Sequence, residues 1–139
     1  MPNHFHFLIR QIKDNGVSIF ISHLTNSYTK YFNTKYKRVG PLFQGEFKAV
    51  LIDSDEQLMH ISRYIHLNPY VSNITKDWET FAYSSFQEFI EKKKRRISSP
   101  SYILSLFKDL KEYKAFVRDQ ESYAKEIEKI KHLLIEKEE

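Results

Sequence analysis

Pro2-Asn3-His4-Phe5-His6-Phe7-Leu8-Ile9-Arg10 is the stretch on which the reading of the fold turns. Phe5, Phe7 and Ile9 alternate with His4, His6 and Leu8. A strand sends alternate side chains to opposite faces, so the pattern predicts a half-buried β-strand. The phenylalanines and Ile9 would face the core, with His4 and His6 projecting together from the other side. Residues two apart on a strand lie about 6.6 Å apart, at ~3.3 Å per residue. Two imidazoles at that spacing can converge on one metal ion. A solvated polar strand face would look the same, and the pair alone does not choose.

Outward from this stretch, Asp14-Asn15-Gly16 predicts a turn and a helix N-cap. Val17, Phe20, Ile21, Leu24, Tyr28, Tyr31 and Phe32 recur at spacings of three and four, predicting an amphipathic helix to about Tyr36. Between Asn15 and Gly45 the cations Lys30, Lys35, Lys37 and Arg38 meet no acidic residue. Cations at a helix C-terminus suit the helix dipole. Together with Tyr28, Tyr31 and Tyr36 they equally suit a nucleic-acid groove, where cations meet phosphates and rings stack on bases. The residues alone suit both roles. Val39-Gly40-Pro41 ends the helix, and the alternation from Phe43 to Leu51 predicts a second strand, with a bulge or close approach at Gly45.

Ser54-Asp55-Glu56-Gln57 has the form of a capping box. It opens a helix whose expected buried stripe is Leu58, Ile61 and Ile65, and which Asn68-Pro69 should stop. Tyr64 and Asn68 share one face of it, with His60 a turn earlier. On this helix alone, a half-exposed rim is the ordinary explanation. Trp78, Phe81, Tyr83, Phe86 and Phe89 form an aromatic segment, expected as a loop and a helical turn. Lys92-Lys93-Lys94-Arg95-Arg96 reads as a solvated linker that could also hold phosphates, and Ser98-Ser99-Pro100-Ser101 as a boundary. Tyr102–Phe107 and Leu110–Glu139 are predicted helices. Ile127, Ile130 and Leu134 stand at helical spacing in the second, which is expected to pack loosely.

With 139 residues, 41% hydrophobic, the chain can form a core of its own. The absence of cysteine excludes disulfides, thiolate zinc sites and cysteine nucleophiles, so any metal must be held by nitrogen and oxygen. A formal charge of +4 favours a polyanionic partner. No signal peptide is evident and no apolar run reaches the ~20 residues of a membrane span. A cytoplasmic location without membrane contact is expected.

With the histidine stretch and the capped helix placed, the chain resembles the single-tyrosine HUH transposases. It is most similar to the insertion-sequence-200-like and REP-associated tyrosine transposases. The blocks that carry the resemblance are His4-Phe5-His6, Gly40-Pro41-Leu42-Phe43-Gln44-Gly45-Glu46-Phe47-Lys48, Arg63-Tyr64-Ile65-His66-Leu67-Asn68-Pro69 and Tyr83-Ser84-Ser85-Phe86. They cover about residues 1–90 in order. The resemblance implies an α+β, ferredoxin-like fold with a helical C-terminal extension. The sheet would be partial, because the family's strand–helix–strand ahead of the histidine strand has no counterpart here. It implies a catalytic domain over residues 1–90, a basic linker over 91–101 and a helical tail over 102–139. Tyr70-Val71-Ser72-Asn73 stands where the family usually has Val-Arg-Ala-Gly, which puts a DNA-contacting arginine in question.

The implied activity is cleavage and rejoining of single-stranded or hairpin DNA during transposition. Tyr64 would be the nucleophile, forming a 5′-phosphotyrosine intermediate. Mg²⁺ or Mn²⁺ would be held by His4, His6 and Asn68. Lys30, Lys35, Lys37, Arg38 and Arg63 would contact DNA, and His66 would be a surface or supporting residue. The competing expectation is a non-catalytic remnant that binds DNA hairpins or is inactive. A zinc hydrolase is disfavoured, since no motif positions a carboxylate as general base. A half sheet would expose an edge, which leaves open a homodimer pairing strand edges.

Overall fold

The computed structural model describes residues 3–92 and 97–124. Its elements are α1 (Gly16–Tyr36), α2 (Asp55–Val71), α3 (Phe86–Phe89), α4 (Ser101–Leu104) and α5 (Leu110–Asp119). The chain forms two compact units: residues 8–51, and residues up to 7 joined with those from 52 onward.

No strand forms among the described residues, so the α+β, ferredoxin-like expectation is overturned in favour of an all-helical arrangement. Both expected strands run as irregular chain. Alternation selects a strand only where a second strand pairs its backbone and a layer covers its apolar face, and a lone two-stranded ribbon is marginal in water. Neither condition is met here. Phe5, Phe7 and Ile9, expected in the core, remain 41%, 49% and 39% exposed. In the second stretch Gly45 has φ +70°, a left-handed conformation that interrupts extended backbone.

In the unit of residues 8–51, α1 follows its predicted span closely. Its N-terminus differs in detail: Asn15 takes a left-handed conformation and caps nothing with its side chain. Gln11 Oε1 accepts the Val17 N–H instead, at 3.2 Å. At the other end Lys37 turns left-handed, with φ 51°. Asn33 Nδ2 donates to the Gly40 carbonyl at 2.8 Å and Arg38 Nη1 donates to Asn33 Oδ1 at 3.2 Å, which folds the 37–41 turn back on the helix.

In the other unit the capping signal is realised. Ser54 Oγ accepts the Gln57 N–H at 3.2 Å, while Gln57 Oε1 reaches back to the Asp53 N–H at 3.1 Å. Asp55 and Glu56 in the first turn suit the helix dipole. Pro69, expected to stop α2, lies inside its last turn. Only the hydrogen bond that residue 69 would itself have donated is lost. Its carbonyl is used instead by the N–H groups of Ile74 and Thr75, at 2.9 and 3.2 Å.

The buried face of α2 is also not the predicted one. Leu58, Ile61 and Ile65 are half-buried, whereas Ser62, His66, Leu67, Asn68 and Pro69 are buried. The reason lies in α5, whose Tyr113 and Val117 are wholly buried rather than loosely packed. The Tyr113 hydroxyl lies 2.8 Å from His66 Nδ1 and 3.3 Å from Ser62 Oγ, so one phenol serves two polar groups four residues apart on α2. Phe89 stacks on Tyr113 at 5.4 Å, and Trp78 meets Phe86 edge-on at 4.6 Å. Burying each such apolar side chain contributes about 1.5–3 kcal/mol. Glu88, also buried, accepts the N–H groups of Ile97 and Ser98 and the Ser98 hydroxyl, tying the turn after α3 to the approach to α4. Residues 93–96 of the basic run, and Ile127, Ile130 and Leu134, lie outside the described residues.

Candidate active site

His4, His6 and Tyr64 meet through their rings. The two imidazoles stand edge-on with centroids 5.0 Å apart, and His6 stands edge-on to Tyr64 at 5.7 Å. His4 Nδ1 lies 2.7 Å from Asn3 Oδ1, so that nitrogen carries the proton and the ring orientation is held. Partial burial first, then the neighbouring His4, hold His6 below the usual imidazole range. It is therefore neutral near pH 7 and has a lone pair to offer. Tyr64 is 56% exposed, so an incoming phosphodiester can reach its hydroxyl.

One turn beyond Tyr64, Asn68 is buried, and its Oδ1 has no hydrogen-bond partner among the described residues. A buried acceptor left unsatisfied costs about 1–3 kcal/mol, and a bound cation would relieve that cost. Among the described residues no group of three His, Cys, Asp or Glu lies together. His4 and His6 offer two imidazole nitrogens and Asn68 one carboxamide oxygen, a mixed nitrogen and oxygen donor set of the kind that can hold a divalent ion.

Arg63 is engaged within its own unit. Nη1 donates to the Phe116 carbonyl at 3.2 Å, Nη2 donates to His60 Nδ1 at 2.7 Å, and the guanidinium lies over the Phe116 ring at 4.2 Å. It links α2 to α5. Desolvation lowers its pKa, opposed by Asp119. Lys30, Lys35, Lys37 and Arg38 belong to the unit of residues 8–51, on and just after α1.

The sequence reading missed the role of His66. It is nearly fully buried, packs edge-on against Phe89 at 4.7 Å, and its Nε2 lies 3.0 Å from Ser85 Oγ. The single hydrogen of Ser62 goes to the Met59 carbonyl, so the Tyr113 hydroxyl donates to Ser62. His66 Nδ1–H then donates to Tyr113, and Nε2 accepts from Ser85. Burial alone holds the imidazole at about 4, in the neutral form this network needs. The four-residue spacing of Ser62 and His66 hinted at a shared face, but nothing local marked Tyr113 as their partner.

A capped helix thus presents an accessible tyrosine beside a paired-histidine segment. Residues 1–68, just under half of the chain, match the family described as transposase, IS200-like, a family whose general function is DNA transposition. No curated protein and no solved structure matches the chain. Among the described residues no helix is long and apolar enough to cross a membrane.

Proposed function

We propose that the chain cleaves and rejoins single-stranded or hairpin DNA through Tyr64. The observation that carries this reading is the edge contact of His6 with the exposed Tyr64 ring, within the segment matched to the transposase family. The Tyr64 phenolic oxygen bonds to phosphorus as the bond from phosphorus to the 3′ oxygen breaks. The phenolic proton is lost to solvent at this exposed position, and the departing 3′ oxygen takes one up. The products are a 5′-phosphotyrosine and a free 3′-hydroxyl, with the bond energy kept for rejoining. Base pairing hides the backbone geometry needed for in-line attack, which favours unpaired substrate.

His4, His6 and Asn68 Oδ1 would hold Mg²⁺ or Mn²⁺. An ion held there would supply Lewis-acid polarisation of the scissile phosphate and stabilise charge on its oxygens. His4→Ala and His6→Ala are each expected to lower the yield of covalent adduct by about 100-fold or more. The double variant should also lose Mn²⁺ binding by calorimetry. Asn68→Ala should cost less, since water can replace one amide oxygen. Unchanged Mn²⁺ affinity in the double histidine variant would retire the metal.

Lys30, Lys35, Lys37 and Arg38 supply charge for the phosphates. If all four contact one strand, the log–log salt dependence of binding should have a slope of about −3, at ~0.7 per contact. A flat dependence would return them to the role of a solvated helix end.

A further inference from the structure

The apolar stripe of α1 changes character halfway along. Its first half is mainly aliphatic and largely covered: Ile21 is buried, Val17 and Leu24 are half-buried, and Phe20 is the one ring, 47% exposed. Its second half is aromatic, cationic and open. Tyr28, Tyr31 and Tyr36 are 48%, 57% and 56% exposed, around a half-buried Phe32. The rings form one continuous array. Tyr28 lies 6.2 Å from both Tyr31 and Phe32 and 6.1 Å from Phe43, and Phe32 lies 4.5 Å from Tyr36. The Lys35 ammonium stands over two of them, 5.6 Å from the Tyr31 centroid and 5.3 Å from that of Tyr36. Arg38 lies over Phe32 at 5.8 Å.

A face awaiting a protein core would continue the aliphatic residues of its first half. Rings with polar edges, a cation between them and no carboxylate from Asn15 to Gly45 suit a polyanion that also carries flat apolar groups. We infer that Tyr28, Tyr31 and Tyr36 form a stacking platform for unpaired bases of single-stranded DNA, with Lys35 at the phosphate between two stacked nucleotides. From Tyr28 to Tyr36 the helix rises about 12 Å, at ~1.5 Å per residue. A strand advancing ~3.4 Å per nucleotide covers that in three to four steps. The platform therefore spans about four nucleotides, without sequence preference.

This inference rests on the proposed handling of single-stranded DNA, but it is tested apart from cleavage. The full chain is titrated by fluorescence anisotropy, in EDTA, against a labelled twelve-nucleotide oligothymidine and an abasic strand of equal length and charge. Stacking should make the thymidine strand bind at least about tenfold tighter. Tyr31→Ala with Tyr36→Ala should remove that advantage while leaving abasic affinity unchanged. Tyr31→Phe with Tyr36→Phe should keep it, because the rings remain. Circular dichroism checks that both variants keep their helix. Equal affinity for the two strands in the native chain would overturn the platform, as would an alanine variant that still discriminates. Base discrimination without any covalent adduct would sink the cleavage reading alone. An adduct without discrimination would sink the platform alone.

Discussion

Tyr64→Phe is expected to abolish the covalent DNA adduct. Incubated with Mn²⁺ and a hairpin or single-stranded oligonucleotide carrying its cognate site, the native chain should yield a species that survives denaturing electrophoresis. The variant should yield about a thousandfold less, since removing a nucleophile commonly costs at least that much. The substitution removes one oxygen and leaves the ring that His6 meets edge-on. At a position this exposed, the effect on stability should stay within about 0.5 kcal/mol. Binding of uncleaved DNA should survive, separating chemistry from recognition. An adduct that persists in the variant would move the nucleophile to another tyrosine, with Tyr28 or Tyr31 next to be tested.

The second large effect is acid destabilisation through His66. Its imidazole titrates near 4 in the fold and near 6.5 in the unfolded chain. Between those values the unfolded chain binds the extra proton, so stability falls as pH falls. Above about 6.5 the contribution is complete and flat; by about 4 it has gone. The whole change is about 3 kcal/mol, of which about 2 kcal/mol should be lost by pH 5. That is a large share of a typical net stability of ~5–15 kcal/mol. His6 shifts in the same direction but is partly solvated, so it adds less. Glu79, held low by Lys114 and Arg118 against the opposing effect of burial, loses its contribution mainly below its ordinary range, so stopping at pH 5 keeps it out of the measurement. Urea melts at pH 7.5, 6 and 5 read the effect directly. His66→Gln lowers stability at every pH but carries no titrating ring, so its dependence between 6.5 and 5 should be much flatter. Equal slopes in the two proteins would remove His66 as the cause.

Legibility divides along the range of the interactions involved. The span of α1 and the start of α2 were readable because periodicity and the Ser54–Gln57 cap act within a few residues of chain. The alternation of Phe5, Phe7 and Ile9 was equally clear, yet it led to a strand that does not form. Pattern states which side chains could share a face. It does not supply the neighbouring strand whose backbone groups must be met. Pro69 misled in the same way, since a rule about local backbone preference says nothing of a helix end held by burial.

By itself, the sequence determined the likeness of residues 1–68 to the IS200-like transposases, the two long helices, and the nomination of His4, His6, Tyr64 and Asn68 as chemically able groups. Only the tertiary structure decided which face of α2 is buried. Leu58, Ile61 and Ile65 were the apolar choice, but Tyr113 on α5 brings one hydroxyl to both Ser62 and His66, 51 and 47 residues away in the chain. A buried polar group must be satisfied, so the position of that partner turns the helix. With Ser62 and His66 turned toward α5, Tyr64 stands open to solvent while Asn68 is carried inside with its Oδ1 unpaired.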